Sequence, residues 1–552
     1  MMIDDRHEWD RRRPSRGAKL AGSAAARFRD LRGPAAVAIV TAFVALSAGG
    51  GRLGGVGRVL PRVALAAGGA GPEAPSSLSA THAGAPSGSA AAGVQANAAV
   101  DAIFAAWDRP DSPGCALGVV QAGELTYERG YGMANLDWGI PIATDTVFYV
   151  GSVSKQFTAA AVALLALDGR IGLDDDIREY FPEMPVYERP ITIRQLVHHT
   201  SGIRDIYTLM ALAGIRLEDV FPDEEAIALI ARQRQTNFPT GDEHLYSNSG
   251  YFLLSQLIER VSGQSLREFA ASRIFEPLGM SNTHFHDIPD HVVKRRAMSY
   301  TGGPAGPGRG SDRDGEFRVS YLGNFDKVGA GGLYTTVQDL LLWDRNFYTG
   351  DVGGQPLLDL IHTPGVLEDG EPITYAFGLT VDEYRGVKSV SHSGSMMGFK
   401  AAFLQLPGER FSVLVACNLG SIEPMGLARR VADIYLDGRL APVEPPVSGE
   451  GRAGGPGAFG GERPSVSLTA AELEAFAGTY YSAELDAVYD LSVADGNLIV
   501  GLRNTPDMRL QPLGDDAFRG RWTFRFERDS TGEVTAFTVD AGRVTNIRFN
   551  RR

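Results

Sequence analysis

The sequence is poor in cysteine and lysine, and its formal net charge is -13. Its two cysteines, Cys115 and Cys417, lack metal-ligand spacing and are too few for a disulfide framework. We expect two buried free thiols, with a single bridge as the alternative. Only six of the 53 basic residues are lysines. The acidic balance excludes a nucleic-acid partner, because phosphate binding needs clustered cations.

The sequence also lacks an apolar run long enough for a comfortable membrane span. The run Ala35–Ala48 follows three nearby arginines and has the length of a signal-peptide core. Ala64, Leu65 and Ala66 provide small residues at cleavage-type spacing. We therefore expect residues 1–66 to be a signal or anchor segment. The protein is expected to be exported, either periplasmic or secreted, and an uncleaved segment would tether it to the membrane.

Two low-complexity stretches divide the rest of the chain. Residues 67–95 are mostly Ala, Gly, Ser and Pro, and residues 441–466 are rich in Gly and Pro. Neither stretch carries enough large apolar side chains to fold, so we interpret them as a disordered tether and a linker. They delimit a large domain, 96–440, and a small domain, 467–552. The oligomeric state is left open.

The large domain has strand patterns at both ends and helical patterns between them. The first strands are expected at 116–121 and 124–130, and the last at 389–392, 401–405 and 411–417. Val153–Asp168 has apolar residues at helical spacing. This order predicts an α+β sandwich, with an antiparallel sheet built from the two ends and a helical subdomain between them.

The small domain reads as a series of short antiparallel strands. Thr469 and Glu472 form a capping-box pattern that predicts a short helix. Alternating segments follow, with hairpin turns expected at Asp495-Gly496 and Thr531-Gly532. This spacing is typical of a small β-barrel or a curled sheet.

The first candidate chemical motif is Ser152-Val153-Ser154-Lys155. Residues three apart share a helix face, so Lys155 can reach the hydroxyl of Ser152. The positive end of the helix and burial both lower the pKa of a lysine, which turns it into a base. A serine hydroxyl needs such a base to become a nucleophile.

The second motif is Tyr246-Ser247-Asn248, just before an apolar helix. Tyr246 can relay a proton if a neighbouring cation lowers the pKa of its phenol. Asn248 offers an amide that can hold a substrate carbonyl and pair with Lys155.

The third motif is His392-Ser393-Gly394-Ser395, at the end of an expected strand. Gly394 would let the substrate approach the strand edge closely. The backbone N–H of Ser395, together with that of Ser152, can form an oxyanion hole. His392 and Ser393 can bind a substrate carboxylate or orient Tyr246.

Two other histidine clusters are given structural interpretations. The run from His198 to Gly202 is expected to be a structural corner at a helix end. Thr283-His284-Phe285-His286, with His291 nearby, is expected to be a packing or solvated cluster. No metal site and no cofactor are therefore expected.

The order Ser-x-x-Lys, Tyr-Ser-Asn and His-Ser-Gly resembles the serine β-lactamase and penicillin-binding-protein-like superfamily. The likeness is greatest to the class C β-lactamase branch, which also holds D-alanyl-D-alanine carboxypeptidases, D-aminopeptidases and esterases. Landmarks elsewhere in the large domain also look like this family, at residues 148–155, 196–203 and 329–340. The small domain resembles the lipocalin-like β domains that follow such hydrolases.

The resemblance implies a β-lactamase/transpeptidase-like sandwich and acyl transfer to water through an acyl-enzyme on Ser152. The substrate would be a D-amino-acid peptide or a small ester. Class C β-lactamases have lysine at the position of His392, so penicillin hydrolysis is the alternative, and a non-catalytic protein that binds cell-wall peptide or a partner is a third. The family sheet also implies that Cys115 and Cys417 lie close together if their strands pair antiparallel.

Overall fold

The computed structural model describes residues 88–302, 315–320, 323–442 and 467–552. The predicted signal or anchor segment, most of the tether and most of the 441–466 linker lie outside the described residues. The predicted end of the tether at residue 95 was too late, because the first helix already begins at Gly88. Its start is rich in alanine, which has the highest helix propensity.

The described residues contain helices and strands in the following chain order. The helices are α1 (Gly88–Phe104), α2 (Lys155–Leu167), α3 (Ile193–Val197), α4 (Ile206–Leu212), α5 (Asp223–Ala231), α6 (Asn248–Ser262), α7 (Leu266–Ala270), α8 (Glu276–Leu278), α9 (Val337–Thr349), α10 (Gly354–Ile361), α11 (Pro424–Tyr435) and α12 (Ala470–Glu474). The strands are β1 (Cys115–Gln121), β2 (Glu124–Tyr131), β3 (Met133–Asn135), β4 (Ile140–Pro141), β5 (Phe148–Tyr149), β6 (His284–Phe285), β7 (Tyr300–Gly302), β8 (Phe317–Val319), β9 (Leu333–Thr335), β10 (Thr380–Tyr384), β11 (Val387–Met396), β12 (Phe399–Leu406), β13 (Phe411–Cys417), β14 (Gly478–Ser482), β15 (Ala487–Ala494), β16 (Asn497–Leu502), β17 (Met508–Gly514), β18 (Ala517–Arg519), β19 (Thr523–Arg528), β20 (Val534–Asp540) and β21 (Ile547–Arg551).

The main sheet of the large domain has six antiparallel strands in the order β10-β11-β12-β13-β1-β2. Strands from the two ends of the domain therefore meet at the pair β1–β13, which confirms the predicted α+β sandwich. Strand β1 is apolar and almost wholly buried, because both faces of the sheet are covered. Helices α1 and α11 cover one face, and α2 and α9 pack on the other.

Cys115 and Cys417 form a disulfide between β1 and β13, where they are directly paired residues. The expectation of two free thiols was wrong. The alternative of a single bridge holds, because the antiparallel pairing brings the first residue of β1 opposite the last residue of β13.

Replacing both cysteines with alanine should lower the free energy of unfolding by about 3 kcal/mol. The bond closes a loop between residues 302 apart, and it restricts the unfolded chain. Thermal unfolding without reductant should show the difference, and reductant should remove it. If the variant and the wild type still differ by the same amount in reductant, the loss of stability comes from lost packing rather than from the missing bond.

Helix α2 runs through the middle of the large domain. Its residues from Lys155 to Leu165 are all buried, and small alanines let α6 and α10 pack closely against it. The packing of α2 therefore holds the segment that carries Ser152 and Lys155 in place without a substrate.

A buried carboxyl group joins α9 to the sheet. Asp344 accepts hydrogen bonds from Gln405 Nε2 on β12, at 2.9 Å, and from Ser412 Oγ on β13, at 2.7 Å. Burial outweighs these bonds and raises the pKa of Asp344 to about 6. Asp344 is 2% exposed, so its ionisation costs stability.

Replacing Asp344 with asparagine should stabilise the protein above pH 6 by about 2 kcal/mol and change little near pH 4. The folded pKa lies above the unfolded value of about 3.9, so the protonated group supports the fold at low pH. That support is lost as the pH rises through 6. Denaturant unfolding of the variant and the wild type at pH 4.5 and at pH 8 measures the difference in their free energies of unfolding on either side of this pKa. A variant that is less stable than the wild type at pH 8 would contradict the assignment.

The small domain is a closed barrel of eight strands in chain order, β14 to β21, as the alternating pattern predicted. The capping box of Thr469 and Glu472 starts α12, and the predicted hairpin turns join β15 to β16 and β19 to β20. The interior is filled largely by buried aromatic rings, namely Phe476, Tyr480, Tyr489, Phe518, Phe524, Phe526, Phe537 and Phe549.

Polar contacts fix the barrel against the large domain. Arg204, which is 1% exposed, forms an ion pair at 2.9 Å with Glu484 of the barrel, and it donates to the carbonyl oxygen of Asn546 at 3.2 Å. Tyr489 donates to the carbonyl oxygen of Leu212 at 2.8 Å. In the part of the chain that the structure describes, no helix is both long and apolar enough to cross a bilayer.

Candidate active site

A tight turn presents Ser152 at the start of α2. Strand β5 leads into it, and Gly151 has a φ of +54°, a conformation that glycine adopts without strain. Residues 151–154 form a short 3-10 turn, and the α-helix begins at Lys155. Ser152 is half-buried, while Lys155 is 0% exposed. The serine is therefore the accessible member of the pair.

The amine of Lys155 has three oxygen neighbours. Its Nζ lies 2.6 Å from the carbonyl oxygen of Ala330, 3.0 Å from Asn248 Oδ1 and 3.3 Å from Ser152 Oγ. Burial lowers the pKa of Lys155 well below its usual range. A neutral amine has two N–H groups, which the two carbonyl oxygens accept, and one lone pair. That lone pair is left for the proton of Ser152.

Asp205 holds Asn248 in the orientation that the lysine needs. One carboxylate oxygen, Oδ2, accepts hydrogen bonds from both N and Nδ2 of Asn248, each at 2.7 Å. The other, Oδ1, caps α4 by accepting from the N–H of Thr208. Because an N–H of the amide is bound to Asp205, its oxygen faces Lys155. Asn248 pairs with Lys155 as expected, but Asp205 was missed.

Tyr246 lies beside the lysine and the serine. Its ring centroid is 4.6 Å from Lys155 Nζ, and its buried hydroxyl has no hydrogen-bond partner among the described residues. Burial raises the pKa of Tyr246, against smaller lowering effects from nearby Ser152 and from Arg543. The condition set for proton relay, a pKa lowered by a neighbouring cation, is therefore not met, because burial outweighs the lowering by Arg543. The phenol keeps its proton at neutral pH.

His199 lies at the corner that follows α3, as expected, and packs against Tyr246. Its ring lies 4.3 Å from that of Tyr246, and its backbone has a φ of +59°, a strained value for a non-glycine residue. Nδ1 accepts from the N–H of Ser247 at 3.2 Å, so the proton sits on Nε2. That nitrogen is buried without a partner among the described residues.

Strand β11 brings a second backbone N–H close to Ser152. A Cβ added to Gly394 would lie 1.9 Å from the carbonyl oxygen of Val150 and 3.1 Å from Ser152 N. A Cβ on Gly151 would lie 2.5 Å from Ser395 N. Gly394 therefore allows β11 to approach the turn that carries Ser152, and its expected closeness to substrate stays a prediction. The amide nitrogens of Ser152 and Ser395 become neighbours, as an oxyanion hole requires.

His392 is buried and both of its ring nitrogens are engaged. Nδ1 lies 2.6 Å from the carbonyl oxygen of Ser393, which can only accept, so Nδ1 carries the proton. Nε2 then accepts from the hydroxyl of Tyr375 at 3.1 Å. Burial lowers the pKa of His392 to about 4, so the ring is neutral at neutral pH. Its ring centroid lies 6.2 Å from that of Tyr246, and both of its expected roles stay predictions. Ser393 is exposed and lines the cleft.

A cleft of about 1250 Å³ is lined by Ser152, Asp205, Tyr246, Asn248, Tyr375, His392, Ser393 and Ser395. One wall comes from the barrel and includes Thr505, Arg521, Trp522, Ala541 and Arg543. The sequence motifs gave no signal for this wall or for Tyr375, because neither lies within a motif.

The cluster of His284, His286 and His291 lies apart from these residues. Its rings contact one another and Tyr334. In the chain segments that the structure covers, no group of three or more His, Cys, Asp or Glu side chains is arranged to hold a metal ion.

The fold and the cleft together define a class of protein. The chain belongs to the Beta-lactamase family, which matches residues 99–436. This finding agrees with the resemblance that the three motifs carried.

Individual relatives of this chain include several D-aminopeptidases. A D-aminopeptidase of Cereibacter sphaeroides is 32% identical over 307 residues, which are 55% of this chain and 57% of that protein. A D-aminopeptidase of strain KD131 of the same species is 27% identical over 510 residues, which are 80% of this chain and 96% of the relative. The chain thus spans little more than half the length of several D-aminopeptidases that it matches.

Solved structures share the fold. A penicillin-binding protein homologue from Pyrococcus abyssi superposes with a TM-score of 0.54 at 22% identity, covering 83% of this chain and 99% of the other. A D-amino acid amidase from Ochrobactrum anthropi SV3 gives 0.52 at 23% identity, covering 62% and 100%.

Proposed function

We propose that this protein is a serine hydrolase that cleaves the amide bond of D-amino-acid peptides, or small esters, through an acyl-enzyme. The observation that carries the proposal is the environment of Lys155, whose Nζ lies 2.6 Å and 3.0 Å from two carbonyl oxygens and 3.3 Å from Ser152 Oγ, so that the neutral amine can accept the proton of Ser152. The D-aminopeptidase relatives support the choice of substrate.

In the proposed acylation, Ser152 Oγ attacks the carbonyl carbon and its proton passes to Lys155 Nζ. The new C–O bond places negative charge on the carbonyl oxygen, which accepts from the N–H groups of Ser152 and Ser395. The C–N bond then breaks. The leaving nitrogen takes a proton from the phenol of Tyr246. Lys155 then passes the proton that it took from Ser152 to the Tyr246 oxygen. Water later cleaves the ester and releases the acid.

A substrate panel tests the proposal. The panel contains the p-nitroanilides of D-alanine and L-alanine, p-nitrophenyl acetate and nitrocefin. These compounds present an amide, an ester and a β-lactam carbonyl, respectively. We expect turnover of the D-anilide well above the L-anilide, turnover of the acetate and little of nitrocefin. Fast nitrocefin turnover would favour the β-lactamase alternative. Binding without turnover of any of them would favour the non-catalytic alternative.

We also propose that the protein works outside the cytoplasm. The apolar run Ala35–Ala48 and the disulfide between Cys115 and Cys417 support this proposal, because disulfides persist in oxidising compartments. The protein purified from its native host should be found in the periplasmic or secreted fraction, or with membranes if the segment is kept. Recovery in the cytoplasmic fraction would contradict export.

A further inference from the structure

The barrel inserts a cation into the cleft. The connection between β20 and β21 carries Arg543, and its guanidinium carbon lies 4.7 Å from the ring centroid of Tyr246. Arg543 lines the same cleft as Ser152, although 391 positions separate the two residues in the chain.

The connection is fixed by the large domain rather than left free. The carbonyl oxygen of Arg543 accepts from Asn237 Nδ2 at 2.9 Å and from the N–H of Asp205 at 3.3 Å. Asn237 Oδ1 in turn accepts from the N–H of Thr545 at 3.0 Å. Asp205 is the same residue that orients Asn248. The backbone that carries the cation is therefore tied to the backbone of the active site.

The guanidinium itself is not neutralised. Within the described segments, no carboxylate forms an ion pair with Arg543, whereas the nearby cation Arg204 is paired with Glu484. The carboxylate of Asp205 is already occupied by Asn248 and Thr208. Because His392 is neutral, its imidazole does not supply a positive charge for an anionic substrate group. An unpaired guanidinium at a cleft wall is suited to bind a carboxylate in a bidentate manner.

We propose that Arg543 binds the carboxylate of the substrate's leaving group, so that the enzyme prefers peptides whose residue after the scissile bond is the free C-terminal residue. This inference rests on the proposed function. Arg543 contacts Tyr246, which gives its proton to the leaving nitrogen in that mechanism. A carboxylate one residue beyond that nitrogen then lies next to the guanidinium, and the barrel acts as a specificity element.

Two peptides that differ only in this charge provide the test: D-Ala-D-Ala and its C-terminal N-methylamide. Release of D-alanine and of the leaving residue is followed by mass spectrometry. We expect the wild type to cleave the acid with a kcat/KM at least about 20-fold above the N-methylamide. Arg543→Met should reduce that preference to about 3-fold or less, chiefly through the acid.

Two further variants separate charge from fold. Arg543→Lys keeps a positive charge and should retain part of the preference. Arg519→Met removes an exposed arginine of the same barrel and should leave the ratio unchanged. Equal cleavage of both peptides by the wild type, or an equal loss on both in Arg543→Met, would overturn this inference alone. Cleavage of neither peptide by a wild type that turns over the D-alanine anilide would also overturn this inference alone, whereas failure on the anilide and the acetate as well would overturn the proposed function.

Discussion

Replacing Ser152 with alanine should abolish acyl-enzyme formation and lower kcat/KM by at least about 10⁴-fold. Ser152 Oγ is the hydroxyl that lies 3.3 Å from Lys155 Nζ. Ser154, two residues on, is buried and donates to the carbonyl oxygen of Gly151, so it does not substitute. Intact mass after treatment with a fluorophosphonate should rise by one adduct in the wild type and stay unchanged in the variant.

A matched control is Ser281→Ala, which removes an exposed hydroxyl outside the cleft. It should label and turn over like the wild type. Labelling of Ser152→Ala at the wild-type rate would reject Ser152 as the nucleophile and would leave the Lys155 geometry without a catalytic purpose.

Replacing Lys155 with methionine should lower kcat/KM by about 10³-fold while the protein remains folded. Methionine fills a similar volume but cannot accept the proton of Ser152. It also removes the donors to Asn248 and Ala330, so thermal unfolding must be recorded with the kinetics. Lys388→Met, at an exposed position of β11, is the matched control and should keep wild-type activity.

The pH profile gives an independent test of the same lysine. Activity requires the neutral amine, and burial lowers the pKa of Lys155 well below its usual range. The acid limb of kcat/KM should therefore lie well below pH 10. An activity that keeps rising towards pH 10 would mean that the lysine is charged at neutral pH. That result would contradict its role as the base.

The features that the sequence predicted are those set by local spacing. Ser152 and Lys155 are three residues apart at a helix start, so their proximity follows from helix geometry. The strands β1 and β13 are apolar runs that a buried sheet requires. The order of motifs was enough to place Tyr246 and Ser395 near the nucleophile through the family resemblance.

The features that were missed depend on tertiary contacts or on burial. Asp205, Tyr375 and Arg543 approach the site from separate loops, and no spacing rule connects them to Ser152. The pKa of Tyr246 follows from burial, which outweighs the cation that the sequence suggested. The close approach of Gly394 to Val150 was missed because it exists only in the folded chain.

The pairing of β1 with β13 has a consequence for how activity develops during synthesis. Strand β1 can pair with β13 only when residues 411–417 have left the ribosome. Contacts this distant in sequence form slowly, and β11, which completes the oxyanion hole, is also made late. A nascent chain that already carries Ser152 and Lys155 therefore has no working cleft. The proposed hydrolysis would therefore begin only once the whole domain has been made.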